Sequence, residues 1–320
     1  MTQAPSFKQA LAALLDEEKI IPAPLMQRFS DLEADDLKSL RSAWKKVSLP
    51  RKLSLLEDLE TLAEADTLVS FENLGKALLS DPDTEVRARA IHLLEECADV
   101  KLVPIYLDLL HQDTDPKTRA EAAWILGLFV YKGELDEIPA SVRKEVEDNL
   151  IQVVASDEPV VIRQRALESL GSSSRDEIPA LIESAYHRKE SSWMSSALCA
   201  MGHSGEERWE KYILAHVLDQ DNDVRSEAVI AAGKVGLSPA RIPLLDLLAD
   251  EEDPDVRRQI IWSLSEIGGE GVRAEMEQRL EIETDADELE FLEEALENLL
   301  FTEDINNFNL LDLEDTDEDE

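Results

Sequence analysis

Along most of the chain, apolar residues recur three, four and seven positions apart, the period of one face of an α-helix. The pattern is clearest in segments of the form Asp-x-x-Val-Arg or a variant of it. With the Arg as origin, positions +3, +4 and +7 read Ala90, Ile91 and Leu94 after Arg87, and Ala122, Ala123 and Leu126 after Arg119. They read Ala228, Val229 and Ala232 after Arg225, and Ile260, Ile261 and Leu264 after Arg257. Small residues at +3 allow neighbouring helices to approach closely.

The same segment returns along the chain. Its origin falls at 87, 119, 163, 194, 225, 257 and 292, in steps of 32, 44, 31, 31, 32 and 35 residues. About 15 residues before several origins stands a second apolar helix opening on Pro104, Pro179 or Pro243. Proline is accepted in a first helical turn, where its missing N–H has no partner to lose. Each repeat therefore predicts a helix A, a short Asp-rich turn and a helix B. Asp83, Asp115, Asp221 and Asp253 each stand four residues before an Arg and suit the N-cap of helix B. Glycine at +8 (Gly127, Gly171, Gly202, Gly233) or +11 (Gly236, Gly268) is expected to end or loosen that helix. A single hairpin cannot bury its own apolar face, so the repeats must stack.

Residues 253–268, Asp-Pro-Asp-Val-Arg-Arg-Gln-Ile-Ile-Trp-Ser-Leu-Ser-Glu-Ile-Gly, and 221–236, Asp-Asn-Asp-Val-Arg-Ser-Glu-Ala-Val-Ile-Ala-Ala-Gly-Lys-Val-Gly, resemble HEAT-like repeats. They are most similar to the short kind found in phycocyanobilin-lyase-type proteins, and the resemblance spans roughly 68–301. It implies an all-α fold: a right-handed α-solenoid of about seven helix pairs with an N-terminal helical cap and an acidic C-terminal tail. The expected divisions are a cap over 1–65, a repeat stack over 66–301 and a disordered acidic tail over 302–320. The cap reads as three helices, over 6–17, 35–47 and 51–65. The 44-residue step places about a dozen extra residues, 127–140, between two pairs. The last helix, 288–301, carries an apolar face of Leu289, Leu292, Leu296, Leu299 and Leu300.

Charge narrows the function. The chain of 320 residues holds 32 Lys and Arg against 71 Asp and Glu, a net charge of −39. Residues 281–320 contribute 18 of the acids, and no cation follows Arg279. Phosphate contacts need clustered cations, so nucleic acid is excluded as the expected partner, and so is an anionic membrane surface. The opening residues carry no basic and apolar leader, and no apolar run is long enough to span a bilayer. Cys97 and Cys199 stand far apart in Ala- and Leu-rich stretches, as isolated thiols rather than a disulfide framework. The expected location is cytoplasmic.

Catalytic motifs are missing. The five histidines are not followed by Glu, whereas a HEAT-like di-iron enzyme, deoxyhypusine hydroxylase, uses paired His-Glu dipeptides. Cys-x-x-Cys, His-Glu-x-x-His and the phosphate-binding Gly-rich loop do not occur. Asp219, Asp221 and Asp223 imitate the start of a calcium loop, but Val224 stands where Gly is required. No metal or cofactor is expected.

Two sets of residues stand out. Asp83, Arg87, Asp115, Arg119, Arg163, Asp221, Arg225, Asp253 and Arg257 are expected to form a structural ladder, each Arg reaching the turn Asp of an adjacent repeat. Positions +2 and +5 of helix B face away from the core stripe, toward the concave surface of a solenoid. There His92, Glu121, Trp124, Glu168, Glu227, Ile230 and Trp262 are the candidate binding residues. Trp124 and Trp262 either anchor a partner or pack between neighbouring B helices. Trp44, Trp193 and Trp209 fall on core positions. The expectation is a non-enzymatic scaffold that holds a basic protein or peptide on the B-helix surface. The family resemblance alone supplies the alternative, a bilin lyase or a chaperone-like factor for a modified protein, with Cys199 near His203 as its one reactive pair.

Overall fold

The structure, a computed structural model, describes residues 5–314, with side chains as far as 304. Among the described residues every regular element is helical. Two compact units are distinguished, Met1–Ser169 and Leu170–Glu320.

The first unit opens with α1 (Phe7–Leu15), the short α2 (Ala23–Met26), α3 (Ala34–Trp44) and α4 (Leu49–Ala65). Three hairpins follow: α5 (Glu72–Leu78) with α6 (Thr84–His92), α7 (Val103–Gln112) with α8 (Pro116–Glu134), and α9 (Ala140–Val154) with α10 (Val160–Ser169). The B helices α6, α8 and α10 lie side by side in one layer, and α7 packs on α9 in the other. The layers do not stop at the recognisable repeat: α4 packs on α6 and α3 on α5. Arg51 of α4 ties down the N-terminal segment by donating to the carbonyls of Ala13 (3.0 Å), Asp16 (3.2 Å) and Lys19 (2.8 Å). Those acceptors lie at and beyond the end of α1, where carbonyls lack partners within the helix.

The second unit holds α11 (Ile178–Tyr186) with α12 (Ser191–Ser204), α13 (Glu210–Leu214) with α14 (Asn222–Val235), α15 (Arg241–Asp250) with α16 (Pro254–Ile267), and α17 (Val272–Ile282) with α18 (Ala286–Glu314). Its B helices α12, α14, α16 and α18 again pack in series. The backbone of α18 is helical as far as Glu314, so 302–314 do not form the tail expected from 302. Residues 315–320, the rest of that tail, lie outside the described residues. Leu292, Ala295 and Leu299 of α18 are buried, but Leu300, assigned to the same face, is exposed.

The apolar stripe of helix B is the core. The +3, +4 and +7 residues of the copies at Arg87, Arg119, Arg225 and Arg257 are at most 4% exposed. Burying each large aliphatic side chain contributes about 1.5–3 kcal/mol. Trp44, Trp193 and Trp209 are buried as their positions demand. Of the extra residues of the long step, 135–139 connect α8 to α9, and 127–134 lengthen α8 to 19 residues, because Phe129 and Val130 continue the buried face past Gly127.

Glycine at +8 follows the end of α10 as expected at Gly171, but has a different duty at the other three positions. Gly127, Gly202 and Gly233 lie inside α8, α12 and α14 and do not end them. They are contact points between B helices. A Cβ on Gly202 would stand 2.9 Å from Cα of Ala231 on α14, and one on Gly233 would stand 2.7 Å from Cα of Ser263 on α16. The expectation for +11 holds: Gly236 caps α14 at φ 71° and Gly268 follows α16 at φ 66°.

The ladder exists, with different acceptors. Asp83, Asp115, Asp221 and Asp253 are the N-caps of α6, α8, α14 and α16, and their carboxylates accept from backbone N–H groups of the first turn. Three of the Arg side chains pair instead with an acid in the connection of the following repeat. Arg87 grips Asp113 through Nε and Nη2 at 2.7 and 2.8 Å. Arg119 lies 2.7 Å from Glu158, and Arg225 lies 3.8 Å from Glu251. All five ladder Arg residues donate backward to the end of their own helix A or the turn behind it: Arg87 to the Asp81 carbonyl (2.7 Å), Arg119 to Leu110 (2.7 Å), Arg163 to Val154 (3.0 Å), Arg225 to Asp219 (2.7 Å) and Arg257 to Glu252 (3.1 Å). One guanidinium thus satisfies orphan carbonyls in one repeat and a carboxylate in the next.

For Arg87 and Arg225 the accepting acid stands two residues before the next N-cap. Asp81, Asp113, Asp219 and Glu251 each accept the backbone N–H of Asp83, Asp115, Asp221 or Asp253, at 2.9–3.0 Å. Acid-x-Asp therefore closes the turn twice over, with the first acid holding the second in place to cap helix B. Asp81 has further partners: its Oδ2 accepts from Trp44 Nε1 at 2.7 Å and lies 3.6 Å from Lys52 Nζ.

Candidate binding surface on the B helices

The candidate residues fall into two groups. His92, Glu121, Trp124 and Glu168 lie in the first unit, and Glu227, Ile230 and Trp262 lie in the second. None of them is fully buried.

In the first unit, positions +2 and +5 of successive B helices meet one another. Arg89 of α6 lies 2.5 Å from Glu60 of α4. His92 Nε2 lies 3.3 Å from Glu121 Oε2 of α8, and its ring is 5.0 Å from the Trp124 indole. On α10, Arg165 lies 2.8 Å from Glu168. Trp124 is half-buried, so one part of the ring packs against His92 and another faces out. The packing duty considered for this indole is therefore fulfilled by His92.

The Glu121 hydrogen bond raises the His92 pKa above its ordinary 6.5, against the opposing effect of burial. Burial alone would raise the Glu121 carboxyl, but the His92 partner overrides it and holds the carboxyl low. A raised folded-state pKa means the pair is fully stabilising below pH 6.5 and loses that contribution as pH climbs through the folded value. His92 is 37% exposed at its side chain, so solvent screening keeps the effect under about 1 kcal/mol. Thermal melts of wild type and His92→Gln should converge above neutrality and separate at pH 6, with wild type the more stable. Equal separation at both pH values would remove His92 as the titrating group.

Beside this row, α4, α6 and the connection between α4 and α5 enclose a hollow of about 580 Å³. Glu60, Glu64, Glu72, Glu95, Glu96 and His92 line it, and no Lys or Arg does. Burial pushes the Glu60 and Glu95 carboxyls up. The Glu72 carboxyl is held low by Lys76, 2.9 Å away, and by the Cys97 thiol. Carboxylates stripped of water in this way gain from a cation that enters. Of this set His92 is a sequence-predicted residue, and Glu60 and Glu95 neighbour it. Glu64, Glu72, Glu95 and Glu96 sit at helix ends and in connections, where the repeat pattern does not reach.

In the second unit Trp262 is 39% exposed, and Phe291 of α18 lies 6.5 Å from it, centroid to centroid. Burial raises the Glu266 carboxyl one turn on, against the smaller opposing effect of the Trp262 indole. Ile230 and Glu227 lie half-buried on α14. On the neighbouring register, Ser226 bonds Gln259 and Arg258 lies 2.8 Å from Glu288. Cys199 is half-buried on α12, one turn from His203, and Cys97 is buried. Among the described residues no group of three metal-binding side chains converges, and no helix is long and apolar enough to cross a membrane.

Paired helices stacked with their B helices in series, several of them stitched by an Arg and offering outer positions to solvent, define an α-helical repeat protein. The sequence matches the HEAT repeat family over residues 71–143, 195–265 and 212–297, and the chain belongs to that family. No curated protein matches it in sequence. Among solved structures, the X-ray structure of YibA from Escherichia coli is 17% identical, with a TM-score of 0.42, over 86% of this chain and 95% of that one. Human deoxyhypusine hydroxylase in complex with glycerol is 17% identical, with a TM-score of 0.34, over 92% of this chain and 95% of that one. An engineered protein is 17% identical, with a TM-score of 0.37, over 93% and 91%.

Proposed function

We propose that the protein is a non-enzymatic scaffold that holds a basic segment of another protein on its B-helix surface. The observation that carries this reading is the half-exposed Trp124 with Glu121 and His92 around it, beside a hollow walled by five glutamates. An indole face attracts Lys or Arg, and dehydrated carboxylates reward the same cation. Trp262 beside Glu266 repeats the combination in the second unit. The net charge of −39 speeds encounter with such a partner. The expected location is the cytoplasm.

A fluorescein-labelled peptide of alternating Lys, Arg and Leu, followed by anisotropy, tests this. Wild type should bind it with an affinity that falls as salt rises. Trp124→Ala should weaken binding about tenfold, as loss of an aromatic anchor does, and Trp262→Ala should act in the same direction. Affinity indifferent to salt, or unchanged in both variants, would overturn the reading. The bilin-lyase alternative gains no specific support from the geometry of Cys199. Mixing the protein with bilin is expected to leave the pigment spectrum unshifted.

A further inference from the structure

The chain is strongly acidic, yet residues 37–56 contain six Lys or Arg and no Asp or Glu. The fold gathers part of this island around a hollow of about 560 Å³ between α3, the start of α4 and the end of α5. Arg41, Lys45 and Lys52 contribute three positive charges to its wall against one negative charge, Asp81. Asp81 is already engaged, by Trp44 Nε1 at 2.7 Å and by Lys52 at 3.6 Å. Arg41 and Lys45 are exposed, and among the described residues neither side chain has an ion-pair or hydrogen-bond partner. Cations suit the last turn of a helix. That preference does not account for the apolar wall they rim, made by Leu40, Trp44, Ala77, Leu78 and Pro82.

We infer that this hollow is a second binding site, of opposite charge preference to the B-helix surface, and that its occupant is an acidic, leucine-bearing segment of a partner protein. The size lies within the range of ligand sites. Inorganic phosphate would leave the apolar wall unmatched. Arg41 and Lys45 stand one turn apart on α3, with Lys45 still in helical conformation. Side chains so spaced are about 6 Å apart at Cβ and call for two carboxylates. A fatty acid offers one. A peptide with acids flanking a leucine offers two, and a side chain for the apolar wall between them. The inference does not depend on the proposed function, because the two sites share no residue and select opposite charges.

The test uses the full chain and a labelled Glu-Glu-Leu-Leu-Glu-Glu peptide, read by anisotropy. Arg41→Glu/Lys45→Glu should weaken binding at least tenfold, while its melting curve stays that of wild type because both side chains are exposed. Replacing the peptide leucines by serine should weaken binding at least fivefold. Octanoate and inorganic phosphate, at the peptide's concentration, should fail to displace it. Unchanged affinity in the double variant would overturn the site. Unchanged affinity of the serine peptide would reduce it to a surface charge effect, and efficient displacement by octanoate or phosphate would reassign it to a small anion. The basic peptide of the preceding test should bind the double variant at least as well as wild type, so failure of one site is read separately from failure of the other.

Discussion

Arg87→Ala should cost the protein about 3–5 kcal/mol, the range for removing one partner of a buried ion pair. Asp113 is 2% exposed and Arg87 13% at their side chains, and the pair is bidentate. Removing the guanidinium leaves the carboxylate dehydrated and returns the Asp81 carbonyl to an unpaired state. For a cooperative unit of this size, the loss corresponds to roughly 10 °C in Tm. The double variant Arg87→Met/Asp113→Leu should lose less than either single variant, since it buries no unmatched charge. Thermal and urea melts of the three variants measure this, and additive losses would show that the two groups do not act as a pair. The pair also shapes the acid limb. Burial would raise the Asp113 carboxyl, but Arg87 and the backbone N–H groups of Thr114 and Asp115 hold it below its ordinary 3.8. A depressed pKa contributes stability that is complete above pH 3.8 and is lost as pH falls through the folded value. Asp113→Asn should therefore flatten stability against pH below about 4.

Gly202→Val should be nearly as damaging, at about 3 kcal/mol, the upper end of what overpacking costs. Its Cβ would meet Cα of Ala231 at 2.9 Å, and a backbone atom cannot swing aside as a flexible side chain can. Relief requires α12 and α14 to separate along their whole contact. Gly205, three residues on, is the control. It ends α12 at φ 63° with nothing within 4 Å of its Cβ position. Asparagine tolerates that conformation, so Gly205→Asn should cost well under 1 kcal/mol. Gly202→Asn should be destabilising, because at that position space, not backbone angle, is limiting. Chemical denaturation of the four proteins separates the two effects, and a neutral Gly202→Val would show that α12 and α14 are free to part.

Much of this was legible in the residues. The period, the N-capping role of the four Asp residues and the buried stripe at +3, +4 and +7 follow from spacing alone, because a helix converts spacing directly into a face. What spacing does not convey is the direction of a long side chain. Arg87 and Asp83 are neighbours in sequence, yet the carboxylate of Asp83 is taken by its own helix's first N–H groups, and Arg87 extends forward to Asp113. A periodic signal was available: an acid recurs two residues before the N-cap at 81, 113, 219 and 251. Gly127 suggested interruption, but tertiary burial of Phe129 and Val130 overrode its weak helix propensity. At the candidate surface, Trp124, His92 and Glu121 were found by register. The glutamate-lined hollow and the Arg41–Lys45 rim were not, since both are assembled by connections and helix ends that carry no repeat.

The turn chemistry also bears on how such a chain changes length. Two rungs begin in one repeat and end at the equivalent acid of the next, Arg87 at Asp113 and Arg225 at Glu251. A duplicated cassette of about 32 residues would import both a donor for its successor and an acceptor for its predecessor. Unequal exchange at the gene level could then add or delete whole cassettes without stranding an unmatched ion, whereas a gain of a few residues inside one turn would break the chain of handshakes at that point.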